Sequence, residues 1–193
     1  VKDIGENAFS NCNNLSAVYI ADISAWCNIK FWNEKANPLY YAHDLHIDDE
    51  LVKEIVVASD LNPFAFYNCS SLISVEIQSG VDIIGKDAFY GCVGLQELRI
   101  ADIAKWCGMT FDSAETNPLY YAHNLYLDGG LVTDLVIPVG VASISDHDFN
   151  GCTSLRSVTL HAGVTDIGSD AFSMCSALTA VYIADLTAWG GID

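Results

Sequence analysis

Positive charge is what this sequence has least of: Lys and Arg number 8 against 25 Asp and Glu, a net charge of −17. Neutralising a phosphate backbone takes clustered basic side chains, so nucleic acid is excluded as a partner. Proline and methionine are sparse, at 4 and 2 residues. No apolar run reaches the ~20 residues that a membrane span requires, and the N-terminus does not resemble a signal peptide. GxSxG, HExxH, CxxC and a phosphate-binding glycine loop are all missing, and with them the common signatures of hydrolase, zinc-protease, redox and nucleotide chemistry.

What the chain has instead is repetition. Ala21–Ile100, opening ADISAWCNIKF and running through NPLYYAHDLHIDDELVKEIVV, returns as Ala101–Ile183, with ADIAKWCGMTF and NPLYYAHNLYLDGGLVTDLVI. A third copy begins at Ala184 as ADLTAWGGID. Self-similarity at such periods marks a solenoid, in which each coil packs on its neighbours. The chain opens at Val1 in mid-repeat and stops within another, and so reads as a piece of a longer protein.

A shorter unit recurs around Cys12, Cys69, Cys92, Cys152 and Cys175. Phe9, Phe66, Phe89, Phe149 and Phe172 precede these cysteines. An alanine comes before the phenylalanine at Ala8, Ala65, Ala88 and Ala171, with Asp148 the one departure. After each cysteine come Leu15, Leu72, Leu95, Leu155 and Leu178, then Val18, Val75, Leu98, Val158 and Val181, then Ile20, Ile77, Ile100, Leu160 and Ile183. The stretch Ser157-Val158-Thr159-Leu160 alternates outward and inward, the pattern of a half-buried strand. Glu54-Ile55-Val56-Val57 and Asp134-Leu135-Val136-Ile137 supply the same strand in two longer coils. Seven strands follow, stacked in parallel at ~4.8 Å. Gly80, Gly140 and Gly163 close the turns after three of them, where glycine accepts a positive φ at little cost.

The pattern LxxVxI…V..I…AF..C resembles the BspA-like leucine-rich repeats of bacterial and parasite surface proteins, over essentially the whole chain. The resemblance implies an α/β-class solenoid, mostly β. It would be a right-handed leucine-rich-repeat stack forming one domain over residues 1–193, with one short parallel strand per coil, seven coils, and two long coils bearing hairpins. It also implies a cell-surface or secreted location.

The long coils contain Trp26 or Trp106, then Asn37-Pro38-Leu39-Tyr40-Tyr41-Ala42-His43 or its twin Asn117 to His123, then a hairpin. Leu125-Tyr126-Leu127 and Leu131-Val132-Thr133 flank Asp128-Gly129-Gly130, a composition for a tight turn. The first copy has Asp48-Asp49-Glu50 there and is expected to turn less tightly. The aromatics read either as a platform for a glycan or peptide, joined by Trp189, or as the core of a bulky coil. Their recurrence at fixed positions favours the core.

Seven cysteines in a surface protein invite a disulfide framework, but five share one inward repeat position, where a buried thiol serves as a small apolar side chain. Cys27 and Cys107 follow the tryptophans, and the third copy has Gly190 there, so free thiols are expected. His43, Asp44, His46, Asp48 and Asp49 group like metal ligands, yet the twin segment keeps only His123 and Asp128, so no metal or other cofactor is expected. No enzyme activity is expected either.

A solenoid exposes the outward strand residues of successive coils as one surface. Here that candidate protein-binding face is Tyr19, Val56, Glu76, Arg99, Val136, Thr159 and Tyr182 in one column. Ala17, Glu54, Ser74, Glu97, Asp134, Ser157 and Ala180 form the next. With the resemblance, it points to a recognition or adhesion module that binds a host or neighbouring-cell protein. A structural spacer with no ligand of its own is the alternative, and glycan binding through the Trp and Tyr insertions comes third.

Overall fold

Each time the chain regains the alternating segment it lays one strand beside the last, and the inward side chains of that strand fill the space between coils. The computed structural model describes residues 1–184, and Trp189 and Gly190 lie outside them. Nine strands, rather than seven, make up the main parallel ladder of the described residues, and it comes in three stretches. Val18–Ile20 pairs with Leu45–Ile47. Glu54–Val57, Ser74–Ile77, Glu97–Ile100 and Leu125–Leu127 follow in unbroken parallel register. Asp134–Val136, Ser157–Leu160 and Ala180–Ile183 complete the series.

The two additional strands, Leu45–Ile47 and Leu125–Leu127, were expected only as hairpin arms. They serve on both edges: each pairs in parallel with the preceding coil and antiparallel with Glu50–Leu51 or Gly130–Leu131. The insertion is thus itself a full circuit. The ladder breaks after each hairpin. A second, shorter ladder, not anticipated from the pattern, joins Asp3–Ile4 to Lys30–Phe31 and Ser143–Ile144 to Asp166–Ile167.

The two hairpins have one geometry. His46 faces Leu51 and Ile47 faces Glu50, just as Tyr126 faces Leu131 and Leu127 faces Gly130. Asp48 and Asp49 take φ of 49° and 65°, against 50° and 76° for Asp128 and Gly129. The first turn is therefore as tight as the second, correcting the looser turn expected. Two left-handed residues in the two-residue loop are what a type I′ connection needs, and the first copy fills both with aspartate, one of the few residue types that visit this region. In the other turns, of Gly80, Gly140 and Gly163 only Gly140 has a positive φ.

Short helices turn the long coils. In Ile23–Cys27 the carboxylate of Asp22 accepts from the Ser24 and Ala25 amides, and in Ile103–Cys107 Asp102 does the same for Ala104 and Lys105. Side-chain oxygens at this position satisfy amides that the helix leaves free. Leu39–Ala42 and Leu119–Ala122 begin after proline and stop at His43 and His123, both left-handed. In these helices Leu39, Leu119 and the two alanines are buried as the Phe and Cys of the short coils are.

The interior is a set of columns. Phe66 stacks on Phe89 with centroids 5.5 Å apart, and Phe149 on Phe172 at 5.3 Å. Leu72, Val75, Leu98, Leu155 and Val158 are buried in the same core. The thiols of Cys92 and Cys175 donate to the carbonyls of Phe66 and Phe149 in the preceding coil, both at 3.1 Å. All seven cysteines are free, and only Cys12 is exposed. Burial pushes the thiols of Cys27, Cys107 and Cys175 up to about 12 and Cys69 up to about 11. It raises Cys92 and Cys152 as well.

Three outcomes follow from this packing. Phe89→Ala removes a ring from a filled column and should cost roughly 3–5 kcal/mol, seen as a large drop in Tm. Tyr41→Ala should cost less, since that side chain is half-buried and chiefly accepts one bond, 2.8 Å from the Asn11 amide; equal small effects would contradict the inward assignment. Asp49→Gly removes the ~1–2 kcal/mol cost of a left-handed side chain against the ~0.5–1 kcal/mol of extra backbone entropy that glycine loses on folding, and should raise stability slightly in denaturant titration, while Gly129→Asp should lower it. Alkylation of the folded protein at neutral pH should label Cys12 rapidly and the other six slowly, because the thiolate is the reactive form and burial suppresses it; a mass-spectrometric Cys69–Cys92 or Cys152–Cys175 bridge would count against this.

Candidate functional site

The register of the ladders fixes which side chains share the outward face of the main sheet. Tyr19, His46 and Leu51 form one row across three strands. Val56, Glu76, Arg99, Tyr126 and Leu131 form a longer one, and Val136, Thr159 and Tyr182 a third. All seven residues expected in this column lie in it. His46, Leu51, Tyr126 and Leu131 join the column as well, although the pattern assigns their strands only to a hairpin. The usable signal was their alternation, which matches that of the other strands.

This column is open and largely apolar. Tyr19, Val56, Val136 and Tyr182 are 64%, 50%, 63% and 59% exposed, too much for side chains held in place by packing. Leu51 and Leu131 are also exposed. The Tyr19 and His46 rings lie 4.8 Å apart. Near the middle, the Arg99 guanidinium pairs with Glu97, and it sits 5.2 Å from the centre of the Tyr126 ring. Its Nε–H donates to Ser74 Oγ at 3.4 Å.

The neighbouring column is polar. Glu54, Ser74 and Glu97 share a row, as do Asp134, Ser157 and Ala180. Ser74 is buried, which corrects its expected outward exposure: the Arg99 side chain to which it bonds lies over the same sheet. Asp134 is exposed and accepts from the Ser157 and Thr133 hydroxyls, bonds that hold its carboxyl below the usual carboxylate range. The hairpin tips add Asp48, Asp49, Glu50 and Asp128, so carboxylates border the column on both sides and Glu76 stands within it.

The paired tryptophans Trp26 and Trp106 do not form an exposed platform. Trp26 and Trp106 are buried, and their indole N–H groups donate to the carbonyls of Ala65 and Asp148, both at 2.8 Å. Asn37 and Asn117, also buried, donate to the same carbonyls and accept from the Leu39 and Leu119 amides. These residues lock each long coil to the next. Tyr40, Tyr67 and Tyr90 stack along the opposite side, at 5.7 and 5.0 Å. Both faces of the middle ring, Tyr67, are thus taken up by its neighbours. Burial, with Tyr90, Glu34, Tyr40 and Asp87 nearby, pushes the Tyr67 phenol up to about 12.

The histidine-rich segment is divided among separate tasks. A ring nitrogen of His43 lies 3.2 Å from the Asn68 carbonyl, His46 packs on Tyr19, and Asp48 and Asp49 make the turn.

The comparisons with known proteins agree with this repeat architecture. A leucine-rich repeat protein from Bacteroides ovatus is similar at 19% identity with a TM-score of 0.50, over 93% of this chain and 52% of that one. A leucine rich cell surface protein from Faecalibacterium prausnitzii is similar at 21% identity with a TM-score of 0.47, over 100% of this chain and 54% of that one. The chain thus spans about half the length of these solved structures. No curated protein matches. Residues 1–36, 58–117 and 122–189 match the BspA type leucine rich repeat region in 6 copies. With most of its length so matched, and with the strand ladder and the AF..C columns in place, the chain belongs to the BspA-type leucine-rich repeat family.

Proposed function

We propose that this chain is a cell-surface or secreted recognition module, one right-handed repeat domain over residues 1–193, that binds an extracellular or host protein through the outward face of its main sheet. The observation that carries the reading is the outward column of the sheet, in which Val56 and Val136, on strands within the stack, stay exposed. Apolar patches that stay open to water mark interaction sites, and tyrosine is enriched at interfaces. Glu54, Glu97 and Asp134 flank that column, with Glu76, Arg99 and Thr159 in it. The acidic margin selects a basic partner, whose approach it speeds at low ionic strength. Membership of the BspA-type repeat family supports the surface location.

The test uses the parent protein on an array of extracellular matrix proteins and glycans, followed by paired variants. Glu76→Lys with Tyr182→Ala should weaken capture of a protein partner at least about tenfold, as loss of an interface anchor does, and association should slow as salt rises. Asp87→Lys with Asp170→Lys, on the turns of the opposite side, should leave capture unchanged. If the second pair abolishes binding and the first does not, the recognition surface is elsewhere. Absence of any ligand would favour the spacer, and capture of glycans alone would also sink the proposal.

A further inference from the structure

The two long coils dock in the same manner, but the residues that receive them differ. At the first joint Trp26 and Asn37 donate to the carbonyl of Ala65; at the second, Trp106 and Asn117 donate to that of Asp148. The side chain beside the first carbonyl is a methyl, as at Ala8, Ala88 and Ala171 in the same repeat position. Beside the second it is a fully buried carboxyl. One of its oxygens accepts from the Ser145 amide at 2.7 Å. The other, also buried, has no partner among the described residues.

No positive charge offsets a negative one there, and the Ser145 amide is what favours the ionised form. Asp146 faces Asp148 from its own turn, and Cys107 faces it from the end of helix Ile103–Cys107. Neither brings a positive charge. The two ion pairs among the described residues join Arg99 to Glu97 and Lys105 to Asp82, and leave Asp148 out. The adjacent His147 is held by its backbone, which donates to the Ser169 carbonyl and accepts from Asn117, and its buried Nδ1 is unpaired. An unpaired buried carboxylate is costly, and such a group tends to keep its proton instead.

We propose that Asp148 makes the second joint sensitive to acidity: the seat of Trp106 and Asn117 is firm while this carboxyl is protonated and loosens when it ionises, whereas the Ala65 joint is indifferent. Burial, opposed by the Ser145 amide and helped by Asp146, pushes the carboxyl up to about 8, far above the ~3.9 of an aspartate in an unfolded chain. The folded state therefore holds the proton after the unfolded state has released it. The stabilisation is complete below about pH 4, falls as pH rises through the interval between the two values, and is gone above about pH 8. Acid tightens this joint.

Thermal melts of the full chain between about pH 5 and about pH 8.5, with Asp148→Ala and Asp148→Asn beside the parent, read this directly. The parent Tm should fall over that range by roughly 5 °C or more beyond the fall in either variant. Amide exchange, corrected for its intrinsic pH dependence, should show residues 145–152 losing protection relative to the twin segment 62–69 in the parent, and keeping pace with it in both variants. Equal pH slopes in the parent and the Asn variant would overturn the proposal, even if Asp148→Ala lowers Tm at every pH. Equal loosening of the two joints in the parent would overturn it as well.

Discussion

Every coil is the lid of the coil before it and the floor of the coil after it. At a strand separation of ~4.8 Å there is no room for a side chain that fits one neighbour and not the other, so the inward positions are held to a narrow set. Phe66 on Phe89 and Phe149 on Phe172 show the constraint most plainly: rings meet nearly parallel, and each sits where its predecessor leaves space. The thiols of Cys92 and Cys175 obey it too, since only a small donor can reach the carbonyl of the phenylalanine one coil back.

The long coils satisfy the same requirement with different chemistry. Leu39 and Ala42 are buried as Phe and Cys are in the short coils. Trp26 and Trp106 are buried too and bond to the next coil. An asparagine beside each tryptophan holds the helix start with its oxygen and the neighbouring coil with its nitrogen. Tolerance ends at Asp148, where a carboxyl stands in a column of methyl groups. The architecture absorbs one such residue because the Ser145 amide satisfies half of it.

Surface follows from core in this fold. Once Leu98 and Ile100 point inward, Arg99 must point outward, and the same alternation sets out Val56, Glu76 and Tyr126 in one row. The candidate face is thus a by-product of strand geometry, and its composition is free of the packing constraint. Tyr19 and Val136 stand exposed in it, each by more than half.

Periodicity alone determined the repeat unit, the inward columns and the outward sites from Tyr19 to Tyr182, because alternation in a strand leaves no choice of face. It also indicated the burial of the tryptophans, since both copies hold them at one position. Only the tertiary structure decided that Leu45–Ile47 and Leu125–Leu127 pair with the coil before them as well as with their hairpin partners. One alternating segment can serve as a hairpin arm, as a ladder strand or as both, and its own residues do not distinguish these until a neighbouring edge is present to accept its hydrogen bonds. The same holds for Ser74, whose exposure depends on an arginine one strand away, and for the aspartate turn at Asp48 and Asp49, which the pairing of Ile47 with Glu50 forces into the left-handed region.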